Sequence, residues 1–73
     1  MTETSPMNLT VNGEGKILDH TNPTVADLVA HLGLRPEVVA VELNGELIPR
    51  AGHGEQGLAE GDQVEIVTLV GGG

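Results

Sequence analysis

Two Asn-Gly dipeptides constrain the fold of this chain more than any other feature of its sequence. Asn12-Gly13 and Asn44-Gly45 each lie between short segments in which apolar and polar residues alternate. Asn followed by Gly accepts the positive φ angles that a two-residue hairpin turn requires, and alternation is the period of a half-buried strand. The sequence therefore predicts two β-hairpins, with opening strands at residues 7–11 and 38–43.

A single helix is predicted between the two hairpins. Four apolar residues fall at the spacing i, i+3, i+4 and i+7 of one helical face: Val25, Leu28, Val29 and Leu32. Thr24 and Asp27 resemble a capping box, and Gly33 suits the left-handed residue that ends a helix. Because so short a helix is marginal alone, its apolar face is expected to pack on a sheet.

The remaining segments predict how the sheet is ordered. Return strands are expected at residues 16–20 and 46–50. Because proline lacks an N–H, Pro49 either places the second strand at a sheet edge or ends it there. The most apolar strand, residues 63–70, is expected inside the sheet beside the first strand. The fold class is therefore α+β: a ββαββ mixed sheet packed on one helix, which is the β-grasp, or ubiquitin-like, fold. The domain should span residues 7–70, after a polar leader at residues 1–6.

Composition excludes several classes of partner. The 73 residues carry a net charge of −8 with three basic side chains, which argues against nucleic acid and favours a protein partner with a basic face. No segment approaches the roughly 18–20 apolar residues of a membrane span. Residues 1–6 lack the pattern of a signal peptide, so a cytoplasmic location is expected.

No catalytic site is predicted within the domain. The chain has no Cys, and its carboxylates and three histidines show no catalytic or metal-ligand spacing. The histidines are expected at the surface. Gly52 to Gly57 matches G-x-G-x-x-G, but the motif needs a following helix to hold a pyrophosphate, and here turn and strand follow. We expect neither a metal nor a bound cofactor, and no enzymatic activity of the chain's own.

The C-terminal glycines carry the functional signal. Gly71, Gly72 and Gly73 follow the last strand, and without side chains they form a thin, flexible tail that a narrow channel on another protein can admit. The reactive group presented there is the α-carboxylate of Gly73. A carboxylate is a poor electrophile until it is activated, for example as an acyl-adenylate.

A docking patch is predicted beside this tail. If Val64 and Ile66 face the helix, strand alternation turns Val67 and Leu69 outward. The same argument turns Ala40 outward on the neighbouring strand. Ala40, Val67 and Leu69, called the docking patch below, would then form an exposed apolar surface of the kind that marks interaction sites.

Four sequence pieces give the chain a family resemblance that covers residues 7–73. They are Val41-Glu42-Leu43-Asn44-Gly45, Ile48-Pro49-Arg50, Leu58-x-x-Gly61-Asp62-x-Val64-Glu65-Ile66 and Val70-Gly71-Gly72-Gly73. The chain resembles the thiamine-biosynthesis sulfur carrier family, relatives of ubiquitin. The resemblance implies that a ubiquitin-activating-type adenylyltransferase uses ATP to adenylate Gly73. Sulfur from a cysteine desulfurase or similar persulfide source then replaces the adenylate, and the resulting thiocarboxylate donates sulfur to thiazole synthase.

Two alternatives stay open on the sequence. The small subunit of molybdopterin synthase, or the carrier of another sulfur pathway, would have the same fold and the same kind of tail. A non-catalytic β-grasp binding module would share the fold without any chemistry at the C-terminus.

Overall fold

Five strands and one α-helix form the part of the chain that the computed structural model describes, residues 6–69. The strands are β1 (Met7–Val11), β2 (Glu14–Leu18), β3 (Val39–Leu43), β4 (Glu46–Ile48) and β5 (Gln63–Thr68), and helix α1 spans Val25–His31. They form one sheet in the order β2-β1-β5-β3-β4. The β1–β5 pair is parallel and the other pairs are antiparallel. This arrangement confirms the β-grasp prediction, with the closing strand inside the sheet and β4 at an edge.

The tight turn at Asn12-Gly13 corrects the predicted bounds of the second strand. Both turn residues have positive φ, 52° and 82°, as a two-residue hairpin turn requires. Val11 consequently pairs with Glu14, and β2 begins two residues earlier than predicted. Leu18 is buried and Ile17 is 63% exposed, which settles a register that the adjacent apolar pair left ambiguous.

Proline shortens both strands of the second hairpin. Pro36 opens a 3-10 helix, Pro36–Val38, so β3 begins at Val39 rather than at residue 38. Proline suits this position because its fixed φ matches the first turn of a helix. β4 ends at Ile48, directly before Pro49, which precedes a second 3-10 helix at Arg50–Gly52. β4 is therefore two residues shorter than the segment 46–50, and both outcomes predicted at Pro49 are observed, since the strand ends there and lies at the sheet edge.

Helix α1 begins and ends as predicted. The Thr24 side chain accepts a hydrogen bond from the Asp27 N–H, and the Asp27 carboxylate accepts one from the Thr24 N–H at 2.8 Å. Leu32 is the C-cap, and Gly33 follows it with a φ of 74°. The helix buries its apolar face in an entirely aliphatic core: Leu9, Val11, Leu18, Val25, Leu28, Val29, Val39, Val41, Leu43, Leu58, Val64 and Ile66.

Two turn asparagines hold β5 in place. The amide of Asn12 accepts a hydrogen bond from the Ile66 N–H at 2.7 Å and donates one to the Ile66 carbonyl at 3.0 Å. In this way a side chain continues the β1–β5 ladder beyond its last backbone pair, Val11 with Val64. On the other side, Asn44 accepts from the Gln63 N–H at 2.9 Å through its Oδ1.

His53 is buried, which corrects the prediction that all three histidines lie at the surface. Its exposed fraction is 3%. The ring Nε2 lies 3.2 Å from the carbonyl oxygen of Ile48, and since a carbonyl only accepts, Nε2 is the donor. The His53 carbonyl accepts from the N–H of Ala26 at 2.9 Å. The loop after β4 therefore packs against the start of α1, a long-range contact that the glycine-rich sequence around His53 did not indicate.

Replacing Asn12 with glycine should destabilise the fold without disturbing the turn. Glycine accepts the φ of 52° but removes both hydrogen bonds to Ile66, so the free energy of unfolding should fall by about 1–3 kcal/mol. Asn22→Gly is the matched control, since Asn22 has a φ of 50° and its side chain has no hydrogen bond within residues 6–69. Urea unfolding should show a change within about 0.5 kcal/mol for Asn22→Gly. Equal losses in the two variants would show that the Asn12 amide contributes nothing.

Acid should weaken the domain through two carboxylates that accept backbone N–H groups. The Thr24 N–H lowers the pKa of Asp27, and the Asn8 N–H lowers the pKa of Glu60. The folded state thus holds these protons less tightly than the unfolded state, so the stabilisation is complete above the ordinary pKa values of 3.8 and 4.5. It declines as pH falls through the lowered values.

Unfolding free energies measured from pH 6 down to pH 3 test this dependence on Asp27. Asp27→Asn should lose less stability across this range than the wild type does, because the titrating group has been removed. Asp19→Asn removes an exposed carboxyl that has no hydrogen bond in the described part of the chain, and it controls for the change in net charge. Parallel profiles for wild type and Asp27→Asn would contradict the assignment.

Candidate functional site

The face of the sheet opposite α1 is the candidate functional site, and we call it the outer face. Cross-strand pairs set which residues share it: Ala40 lies opposite Val67, and Glu42 lies opposite Glu65. Val64 and Ile66 point the other way into the core. The predicted orientation of β3 and β5 is therefore correct.

The docking patch lies on this face as predicted. Val67 and Leu69 are 57% and 53% exposed, and Ala40 is half-buried beside Val67. The Leu69 N–H donates to the Val38 carbonyl at 2.6 Å. This bond keeps the chain aligned with β3 beyond the end of β5, so that Leu69 continues the alternation that turns Val67 outward.

Leu47 extends the apolar surface beyond the predicted residues. It lies opposite Glu42 in the β3–β4 register and is 62% exposed. With the two carboxylates and part of the docking patch it lines a shallow depression of about 260 Å³: Ala40, Glu42, Leu47, Glu65 and Val67. The signal was present in the sequence, because the two-residue turn at Asn44-Gly45 fixes the pairing of Glu42 with Leu47.

The electrostatics of the outer face are wholly acidic. Among the strand residues that the structure describes, the only basic side chain is Lys16, which lies opposite Leu9. Since Leu9 points into the core, Lys16 is on the helix side of the sheet, where it lies 4.0 Å from Glu14. Glu42 and Glu65 therefore have no cationic neighbour on their own face.

A second depression, of about 380 Å³, lies beside the edge strand β4 and includes part of the glycine-rich loop. Glu46 and Glu55 line it together with Gly52, and two carboxylates disfavour a phosphate ligand. The loop itself is a 3-10 helix followed by turns, and the next element is strand β5. The G-x-G-x-x-G match therefore has neither the helix nor the charge that a pyrophosphate site requires.

The tail residues Gly71, Gly72 and Gly73 lie outside the described residues, and the described chain reaches Leu69. Within residues 6–69 no three His, Asp or Glu side chains converge as a metal site would need. The same part of the chain contains no helix of the length and apolarity that crossing a membrane demands.

Comparison with known proteins identifies the family. The sequence profile of the ThiS family matches residues 5–73. The chain belongs to the ThiS family. Sulfur carrier protein ThiS of Bacillus subtilis is 37% identical over 65 residues, which cover 89% of this chain and 98% of that protein.

Two longer relatives are thiazole synthases. Those of Paramagnetospirillum magneticum and Magnetococcus marinus are 37% and 39% identical over 67 residues. The match covers 92% of this chain, but the chain spans only 20% of the length of either synthase.

Solved structures agree with the fold. The crystal structure of the thiamine biosynthesis protein ThiS from Geobacter metallireducens has a TM-score of 0.78 and 39% identity, and the match covers 92% of this chain and 100% of that one. A computationally designed protein based on human erythrocytic ubiquitin matches with a TM-score of 0.52 at 22% identity. At that identity the second match supports the ubiquitin-like fold alone.

Val67→Asp should leave the domain folded, whereas Ile66→Asp should unfold it. Val67 is 57% exposed, so its replacement should change the unfolding free energy by no more than about 0.5 kcal/mol. Ile66 is 6% exposed, and an unpaired carboxylate at its position would cost several kcal/mol, close to the whole stability of a small domain. Urea melts of both variants would reveal an inverted register if Val67→Asp were the one that unfolds.

Proposed function

We propose that this chain carries sulfur for thiazole formation in thiamine biosynthesis, with Gly73 as the point of attachment. The observation that supports the proposal most strongly is that the ThiS family match continues through Gly73, so the glycine tail lies within the matched region. The similarity to the sulfur carrier of Bacillus subtilis supports the same role. In this role the chain is a co-substrate rather than a catalyst.

The chemistry requires only a free, accessible carboxylate. An oxygen of the Gly73 carboxylate attacks the α-phosphorus of ATP on an adenylating enzyme, and pyrophosphate leaves. A persulfide sulfur then attacks the activated carbonyl carbon and AMP leaves. Reduction of the sulfur–sulfur bond by a thiol releases the thiocarboxylate. ATP and every catalytic group belong to the partners, and the carrier supplies a positioned terminus.

The outer face supplies the contact area that the tail lacks. Three glycines offer little surface for specific binding, so a partner must also hold the folded domain. The docking patch lies at the end of β5, next to the chain segment that leads into the tail. We propose that the adenylating enzyme binds there, and Val67→Asp should then weaken its binding by about 1–3 kcal/mol, as expected for a central interface residue.

Thiazole synthase is the proposed acceptor of the sulfur. Two proteins named thiazole synthase contain a stretch similar to this chain, and each is about five times as long as that stretch. A segment similar to a carrier is therefore part of the same polypeptide in these relatives. A cysteine desulfurase or a similar persulfide source is the proposed donor. Nothing in the structure favours a role in molybdopterin synthesis or a binding module without chemistry, and the relatives support the thiamine pathway.

One alanine added after Gly73 should abolish activation. The added methyl group and the displaced carboxylate would not fit a channel shaped for glycine, while the distant core would be unaffected. Pyrophosphate exchange catalysed by the cognate adenylating enzyme measures the effect, and the variant should give a rate near the background without carrier. Intact mass of the wild type after reaction with ATP and the sulfur donor should show replacement of one oxygen by sulfur.

An added residue far from the tail provides the control. One alanine inserted before Met1 changes the length equally and should leave exchange unchanged. Urea melts of both extended proteins should coincide with the wild type. Normal exchange by the C-terminally extended chain would exclude Gly73 as the activated residue.

A further inference from the structure

Glu42 and Glu65 form a like-charged pair in the middle of the outer face. The Asn44 N–H donates to the Gln63 carbonyl at 2.7 Å. Hydrogen-bonded and non-hydrogen-bonded pairs alternate along an antiparallel ladder, so the pair two positions further, Glu42 with Glu65, is again hydrogen-bonded. Its Cα atoms are then about 5.5 Å apart, with both side chains directed outward.

No cation of the described chain compensates this pair. Lys16 is on the helix side of the sheet, as shown above, and the two remaining basic residues are in connections: Arg35 precedes the first 3-10 helix and Arg50 begins the second. Neither glutamate has an ion pair or a side-chain hydrogen bond within residues 6–69. Like charges directly opposite each other destabilise a strand pair, so the isolated domain is less stable for having both.

Apolar residues lie on two sides of the two carboxylates. Leu47 lies beside Glu42 on β4, and Ala40 and Val67 form the next outward pair on β3 and β5. A partner that covers this apolar surface must also cover the glutamates. Burial of two carboxylates without a counter-charge would cost more than the apolar contacts contribute. The partner must therefore bring a cation to this position.

We infer that Glu42 and Glu65 together receive an arginine side chain of the adenylating enzyme, set among apolar residues of that enzyme. A planar guanidinium has five N–H donors in a fixed fork and can bond two adjacent carboxylates at once, whereas a lysine ammonium is a point charge. The inference rests on the proposed function for the identity of the partner. It adds the chemistry that the partner's surface must have.

Binding of the double variant Glu42→Gln/Glu65→Gln to the adenylating enzyme tests the inference. Glutamine keeps the size of the side chain and removes the charge, which leaves the partner's guanidinium buried and unpaired. Affinity should fall by about 10- to 100-fold, measured by calorimetric titration. The dependence of affinity on salt should also become weaker than in the wild type.

Glu46→Gln is the matched control. Glu46 lies opposite Leu43, whose side chain is buried, so Glu46 belongs to the other face of the same sheet. It should bind within about twofold of the wild type, since a rim or remote charge contributes little to affinity. Urea melts should show the double variant to be at least as stable as the wild type, because the repulsion between the carboxylates is gone.

The outcomes separate this inference from the proposed function. If the double variant binds as tightly as Glu46→Gln while Val67→Asp binds weakly, the arginine site is wrong and the carrier role stands. If affinity falls for thiazole synthase and not for the adenylating enzyme, the assignment of the partner is overturned. If the wild type neither binds the adenylating enzyme nor supports pyrophosphate exchange, the proposed function fails and the inference fails with it.

Discussion

The position of β5 between the two hairpins is the constraint on which the rest of this structure depends. β5 is the only strand that joins β1 to β3, and the loop before it is the longest connection in the described chain. Pairing of such a strand costs the conformational entropy that is lost when the long loop before it is closed. The amides of Asn12 and Asn44 offset that cost by bonding the backbone of β5 from both sides. The residues that form the hairpin turns thus also fix the central strand, so local and tertiary structure use the same side chains.

This fixed strand determines the composition of the candidate site. Side chains alternate along a strand with a period of two, so a shift by one residue would exchange its two faces completely. Because the side chains of Val64 and Ile66 point into the core, those of Glu65 and Val67 must point to the outer face. The same rule applies to β3, where burial of Val41 directs Glu42 outward. The candidate surface is consequently as well defined as the hydrophobic core, although it is exposed.

The sequence predicts those parts of the structure that depend on local chemistry. Positive φ at Asn-Gly, the capping box of α1, the facing of β3 and β5, and the edge position before Pro49 all follow from residues within a few positions of each other. Of the parts it missed, one depends on a contact across the fold and two on the pairing that the two-residue turns impose. Burial of His53 results from packing of a loop on the start of α1. The bounds of β2 depend on turn geometry that the adjacent pair Ile17 and Leu18 could not resolve, and Leu47 joins the site only through pairing with β3.

The outer face combines one feature that adds nothing to the stability of the isolated domain with one that lowers it. Exposed Leu47, Val67 and Leu69 leave apolar area in water, and Glu42 and Glu65 repel each other across neighbouring strands. Elsewhere in the fold, the capping box and the asparagine contacts to β5 give polar groups hydrogen-bond partners. Local departures from such pairing are expected at functional sites. A partner that covers the apolar side chains and supplies a cation would gain free energy from their burial and would also remove the repulsion between the carboxylates. The proposed carrier role needs this property, because a carrier must be released from one partner before it meets the next. An outer face that costs little free energy in water, and gains free energy only against a complementary partner surface, allows repeated binding and release. The fold beneath it remains unchanged.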